Sequence, residues 1–113
     1  MDAKERKIVY ICSAYSGDVE KNIRMARRYS RLAIDQGYIP LAPHLLLPQF
    51  LSEETERELA LAIDLRLLDL CQEIWICGDV ITRGMKRELQ YALATGVPVS
   101  FIEEASDEQF NRI

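Results

Sequence analysis

The sequence predicts an α/β domain built on a parallel sheet. Three observations carry that expectation. Short β-branched and aromatic runs recur along the chain, and stretches with apolar residues at helical spacing separate them. Glycines close two of those stretches, at Gly37 and Gly96. Strands that alternate with helices need right-handed crossovers, which give a parallel sheet with helices on both faces. A chain of 113 residues suffices for one domain with one core, spanning residues 1–113.

Each element has its own signal. IVYIC (Ile8–Cys12) is a continuous apolar run that suits a strand buried on both faces. SAYSGD follows as a turn. From Asp18 to Gln36 the spacing is helical, with Val19, Ile23, Ala26, Ser30 and Ala33 on one face. Arg24, Arg27, Arg28 and Arg31 lie mostly on the other, which reads as a solvated face. YIPLAP (Tyr38–Pro43) reads as a short strand whose two prolines push it toward an edge. HLLLPQFL reads as an apolar loop that covers something or forms an interface. An acidic helix start at Ser52–Glu56 leads into a helix to Leu70, with Leu59, Ile63, Leu67 and Leu70 as its stripe. EIWIC (Glu73–Cys77) is a second buried strand. GDVITRG is a loop, a helix runs from Thr82 to Thr95, and VPVSFI (Val97–Ile102) is a last strand. The polar segment after it is expected to be helical or frayed. The order is βαβαβαβα.

Composition narrows the function. Apolar residues make up 49% and charged residues 28%, as in ordinary globular domains. The net charge of −4 argues against broad binding to nucleic acid polymers or anionic membranes. Apolar runs are too short for a signal peptide or a membrane span. Cys12, Cys71 and Cys77 form no CxxC and read as reduced, buried thiols of a cytoplasmic protein. One histidine and three scattered cysteines do not make a zinc site, so no metal or cofactor is expected.

In a parallel sheet the ligand site lies beyond the carboxyl ends of the strands, near the topological switch point. That rule selects SAYSG, APH and GDVITRG. In the third loop and its helix, Met85, Leu89, Ala92 and Leu93 form the core face. Glu88 borders that stripe and leans back over Gly84, where a ligand could approach the backbone. Thr82 can cap the helix, and free N–H groups beside it could bind an anion. The same spacing also fits a capped helix with a loop glycine and a surface glutamate. Asp64, in AIDLRLLDL, lies among apolar neighbours and is either paired, with Arg57 or Arg66, or aimed into a cleft. Asp69 is an alternative nearer the helix end. Two carboxylates in different environments are the minimum kit for glycoside chemistry. Ser13, Tyr15, Ser16 and Gly17 precede a helix, where hydroxyls and N–H groups suit a phosphate or a ribose. Neither GxGxxG nor GxxxxGK[ST] occurs. His44 follows a strand, and Gly78 opens the third loop; both fall where the fold rule puts a ligand.

VYICSAYSG, AIDLRLLDLCQEIWICG and TRGMKRELQYALATGVPV together resemble the nucleoside 2-deoxyribosyltransferase superfamily, over roughly residues 7 to 102. The likeness is nearest to its small bacterial and phage domains. It implies a flavodoxin-like three-layer sandwich with a four- to five-stranded parallel sheet. It further implies that Glu88 is the nucleophile toward the anomeric carbon. Asp64 then assists the departing base, and Tyr15 aids the nucleophile or lines the sugar pocket. Gly84 is then bare because the sugar packs over it. Thr82 stands where the transferases carry an aspartate. A hydroxyl there resembles the 2′-deoxynucleoside 5′-phosphate N-hydrolases, in which it helps hold the phosphate, and Ser13, Ser16 and Gly17 complete such a site. His44, Gly78 and Met85 join the expected binding residues. The expected activity is therefore cleavage of a base–sugar bond, with base exchange or nucleotide binding alone as alternatives. The expected partners are a small nucleoside or nucleotide and, through the apolar loop, a second copy of the chain.

Overall fold

The computed structural model describes residues 3–103. Strands β1 (Ile8–Cys12), β2 (Ile39–Leu41), β3 (Glu73–Cys77) and β4 (Val99–Ile102) alternate with helices α1 (Val19–Asp35), α2 (Pro43–Leu46), α3 (Arg57–Asp69) and α4 (Arg83–Thr95). The sheet has four strands, all parallel, in the order β2-β1-β3-β4. This is the expected flavodoxin-like three-layer arrangement. The strand order reverses between β1 and β3, so the switch point lies at the carboxyl ends of those two strands.

β1 and β3 are central and buried on both faces, which is why they read as unbroken apolar runs. Their alternate residues serve two cores. Val9, Ile11, Trp75 and Cys77 pack with Tyr29 and Ala33 of α1. Tyr10, Cys12, Ile74 and Ile76 pack with Leu68 of α3 and with Met85 and Ala92 of α4. All three cysteines are buried free thiols. β2 sits at one edge, where Pro40 leaves no buried ladder donor unmet.

Several boundaries and faces differ from the sequence reading. HLLLPQFL is not a loop: Pro43 and Pro48 each open a helical turn, α2 and a 3₁₀ turn over Leu47–Gln49. Leu47 is buried by it, whereas Leu46 and Phe50 are exposed. α3 starts at Arg57, because Ser52–Glu56 closes on itself: Ser52 Oγ accepts from the Thr55 N–H and the Glu56 carboxylate from the Ser52 N–H. Its buried face is Ala60, Asp64 and Leu68, with Leu59 and Leu70 outside. α4 buries Met85, Glu88 and Ala92, while Leu93 is 64% exposed. On α1 the buried set includes Tyr29, whose hydroxyl donates to the Glu103 carbonyl at 3.2 Å. Its arginine face is only partly solvated, since Arg31 pairs with Asp35 at 3.1 Å. β4 begins two residues later than expected, at Val99. Beyond Glu103, the segment expected to be helical or frayed lies outside the described residues. Among the described residues no helix is long and apolar enough to cross a membrane.

Candidate functional site

The loop after β1 is fixed by its own side chains. Asn22 of α1 donates to the carbonyls of Tyr15 at 2.9 Å and Ser16 at 3.0 Å. Gly17 turns the chain at φ +98°, and Asp18 caps α1 by accepting from the Lys21 N–H at 3.2 Å. At the start of α4, Thr82 Oγ1 accepts from the Met85 N–H at 3.2 Å. The Met85 sulfur in turn receives the Thr82 N–H at 3.5 Å. The N–H groups of Arg83 and Gly84 have no partner within the helix, as in any first turn.

These two starts, with α3 and the turns before it, enclose a cleft of about 690 Å³, within the range of small-molecule sites. Glu88 and Asp64 both line it, and so do Tyr15, Ser16, Gly17, His44, Thr82, Gly84 and Met85. Ser13 and Gly78 are placed elsewhere. Alternation along β1 turns Ser13 to the opposite sheet face from Cys12, and it lines a separate cavity of about 210 Å³ with Gly78, Cys77 and Tyr29. The main chain of Ser13 still acts on the cleft, where it partly offsets the lowering of the His44 pKa by burial.

Glu88 is 3% exposed and Asp64 6%. Their surroundings differ. Glu88 accepts from the Tyr10 hydroxyl at 3.0 Å on Oε2 and from the Cys12 thiol at 3.5 Å on Oε1. Asp64 has no ion pair among the described residues, and its buried Oδ1 has no hydrogen-bond partner there. Arg66 pairs instead with Asp69 at 3.2 Å, and Asp69 also receives the Tyr91 hydroxyl at 2.6 Å. Asp69 is thus a surface residue engaged outside the cleft.

The electrostatics follow from that difference. Burial pushes the Asp64 carboxyl up to about 8, helped by the charges of Glu88 and Glu53. Burial also raises Glu88, to about 7, against the two donors from Tyr10 and Cys12, which favour its charged form. Two donors favour the charged form of Glu88 and none among the described residues favours that of Asp64, so the geometry biases ionisation toward Glu88 and the retained proton toward Asp64. Burial lowers His44 to about 4, so its ring is neutral at pH 7. That ring lies 5.3 Å from the Tyr15 ring, tilted by 34°.

Gly84 has no packing reason to be glycine. A Cβ built there meets nothing within 4 Å, and its φ is not in the left-handed region. The space above it belongs to the cleft.

Sequence reasoning missed Tyr10, Cys12, Glu53, Arg57 and Arg83. The last three line the cleft or act on its carboxylates. Tyr10 and Cys12 were legible in principle: they sit two apart in a strand, on one face, with polar tips in an otherwise apolar run. Tyr10, rather than Tyr15, is the aromatic bonded to Glu88.

Residues 7–102 match the family described as "Domain of unknown function (DUF7768)", and the chain belongs to that family. No curated protein matches the chain.

Proposed function

We propose that the cleft breaks the bond between base and sugar in a nucleoside 5′-monophosphate or a related ribosyl compound. The observation that carries this reading is the pair of buried carboxyls, Glu88 and Asp64, in one cleft with unequal surroundings. Such pairs divide nucleophile and acid between two like groups. Ionised Glu88 attacks C1′, and a carbon–oxygen bond forms as the carbon–nitrogen bond breaks. The bonding electrons leave with the base, which takes the proton held by Asp64. Water then attacks C1′, gives its proton to Asp64, and frees Glu88 and the sugar phosphate.

The rest of the cleft suits the rest of such a substrate. Ser16, Arg57, Thr82, Arg83 and Gly84 all line the cleft, and the free N–H groups at the start of α4, with the hydroxyls and guanidinium groups of these residues, suit a phosphate. Tyr15, His44, Val19 and Leu51 offer flat or apolar surface for base and sugar. The likeness of the sequence to nucleoside 2-deoxyribosyltransferases and nucleotide N-hydrolases supports the same reading. Phe50 at 71% exposure and Leu46 at 40%, beside the cleft-lining Pro48 and Leu51, support association with a second copy. Three buried free thiols suit a reducing compartment such as the cytoplasm.

The test is a chromatographic screen for free base released from ribo- and deoxyribonucleoside monophosphates, with Glu88→Ala beside the wild type. Release by the wild type alone is expected. Release only after an acceptor base is added identifies a transferase. No release under either condition, with a nucleotide bound intact, identifies a binding module and overturns the proposal.

A further inference from the structure

Cys12 is fully buried behind the cleft, reaches it only through Glu88, and is not part of the chemistry above. β1 presents Tyr10 and Cys12 on one face, two residues apart, so both reach the same carboxylate. Tyr10 holds Oε2 and Cys12 holds Oε1. Two donors on two oxygens fix the carboxylate plane as well as its position. The Cys12 sulfur lies 3.5 Å from Glu88 Oε1 and 3.9 Å from the Met85 carbonyl. It has a single hydrogen to give, and the carboxylate is the nearer and more basic acceptor.

We infer that Cys12 is a positioning residue for Glu88: its thiol orients the carboxylate toward the cleft while withdrawing less basicity than a hydroxyl would. This rests on reading Glu88 as the nucleophile. The choice of sulfur is the informative part. A thiol is a weak donor, so it directs an oxygen without strongly stabilising its charge. A serine there would bind the carboxylate more tightly and blunt it as a nucleophile. An alanine would free it to turn and leave one oxygen without a donor. Burial keeps the Cys12 thiol protonated well above its usual range, so it donates throughout the neutral region. The titratable groups facing Glu88 are Tyr10 and Cys12 from β1, Asp64 from α3 and Glu53 from the turn before it. Arg57, Arg83 and Arg87 share the cleft wall, with Arg87 paired to Glu58 at 3.2 Å.

The test reads the Glu88 carboxyl directly, by carbon NMR titration of the full chain in wild type, Cys12→Ala, Cys12→Ser and Cys77→Ala. Cys77 is an internal control: it is a buried thiol on the opposite sheet face, engaged by its own Trp75 carbonyl at 3.6 Å. Cys12→Ala is expected to move the Glu88 midpoint up by about half a pH unit or more, and Cys12→Ser to move it down by a similar amount. Cys77→Ala is expected to leave it in place. If glycosidase activity is found, the acid limb of its pH profile moves the same way in each variant. Cys12→Ser preserves volume and carries the test if the alanine variant does not fold. An unmoved Glu88 midpoint in the Cys12 variants, or an equal shift from Cys77→Ala, overturns the inference. Shifted midpoints in a protein that releases no base would instead uphold the hydrogen bond and overturn only the catalytic reading.

Discussion

The two faces of the sheet are built from alternate residues of the same strands, yet they do opposite things with a polar group. On the α1 face, Val9, Ile11, Ala33, Trp75 and Cys77 close a core without a carboxylate among its buried residues. On the α3/α4 face, two carboxyls lie at the edge of a core of similar aliphatic make-up. An unpaired buried carboxyl is costly, so that face is less stable than packing alone would allow. The difference teaches where the fold has been shaped by something other than folding. Stability alone would place leucine at 64 and at 88.

The comparison breaks most sharply at Glu88. Glu88→Ala is expected to lower base release by about 10³-fold or more while leaving the α1 face intact, measured by chromatography at saturating substrate. A folded variant with unchanged release would remove Glu88 from the chemistry. The mirror experiment is Ile11→Ala on the other face. It is expected to cost about 2–5 kcal/mol of stability by denaturant melting, with turnover unchanged in the folded protein. A comparable loss of turnover would mean that the two faces are not separable.

pH sharpens the contrast next. Glu88 at about 7 and Asp64 at about 8 require one group charged and the other neutral, so the rate is expected to peak between those values. Asp64→Asn should flatten the alkaline limb and slow release by about 10²-fold. The same groups act on stability. Both carboxyls are raised above their unfolded values, so their contribution is fully present below about pH 4 and is lost as pH rises through 7 to 8. Glu88→Gln is therefore expected to be more stable than wild type at pH 8.5, by about 2 kcal/mol, and no more stable at pH 4. An equal difference at both pH values would show that Glu88 is not desolvated.

The smallest effect is expected at Gly84. Its Cβ would meet open space, and alanine is the better helix former by about 0.5–1 kcal/mol. Gly84→Ala should raise the melting temperature by a few degrees and weaken nucleotide binding about tenfold or more. A variant that is both more stable and equally active would mean that nothing packs over that position.

β1, β3 and the helix after Thr82 could be read from sequence because burial of the two central strands on both faces leaves an unbroken apolar run, and because Thr82 and Gly96 mark the helix ends chemically. α3 was harder. RELALAIDLRLLD spreads its charged residues around the helix, so periodicity marks no clear face, and the face that is buried carries Ala60 and Asp64 beside a single leucine, Leu68. Helical spacing puts Glu88 at the border of the stripe formed by Met85, Leu89, Ala92 and Leu93, whereas the fold buries it and leaves Leu93 outside. Tyr10 and Cys12 were hidden by the very signal that identified their strand. A residue that contributes to packing with its body and to chemistry with its tip looks, in one dimension, like packing alone.

The parallel pairing of β1 with β3 has a consequence in time. Ile8 and Gln72 meet although they are 64 positions apart in the chain, so the central ladder closes late and slowly compared with local helices. Glu88 lies beyond β3 in the chain, and its donors lie on β1. During synthesis the helices before β3 can form early, but the carboxylate cradle is assembled only after the chain through α4 has emerged. Refolding followed at Trp75, which sits within that ladder, should therefore report a single phase that also marks the appearance of the site.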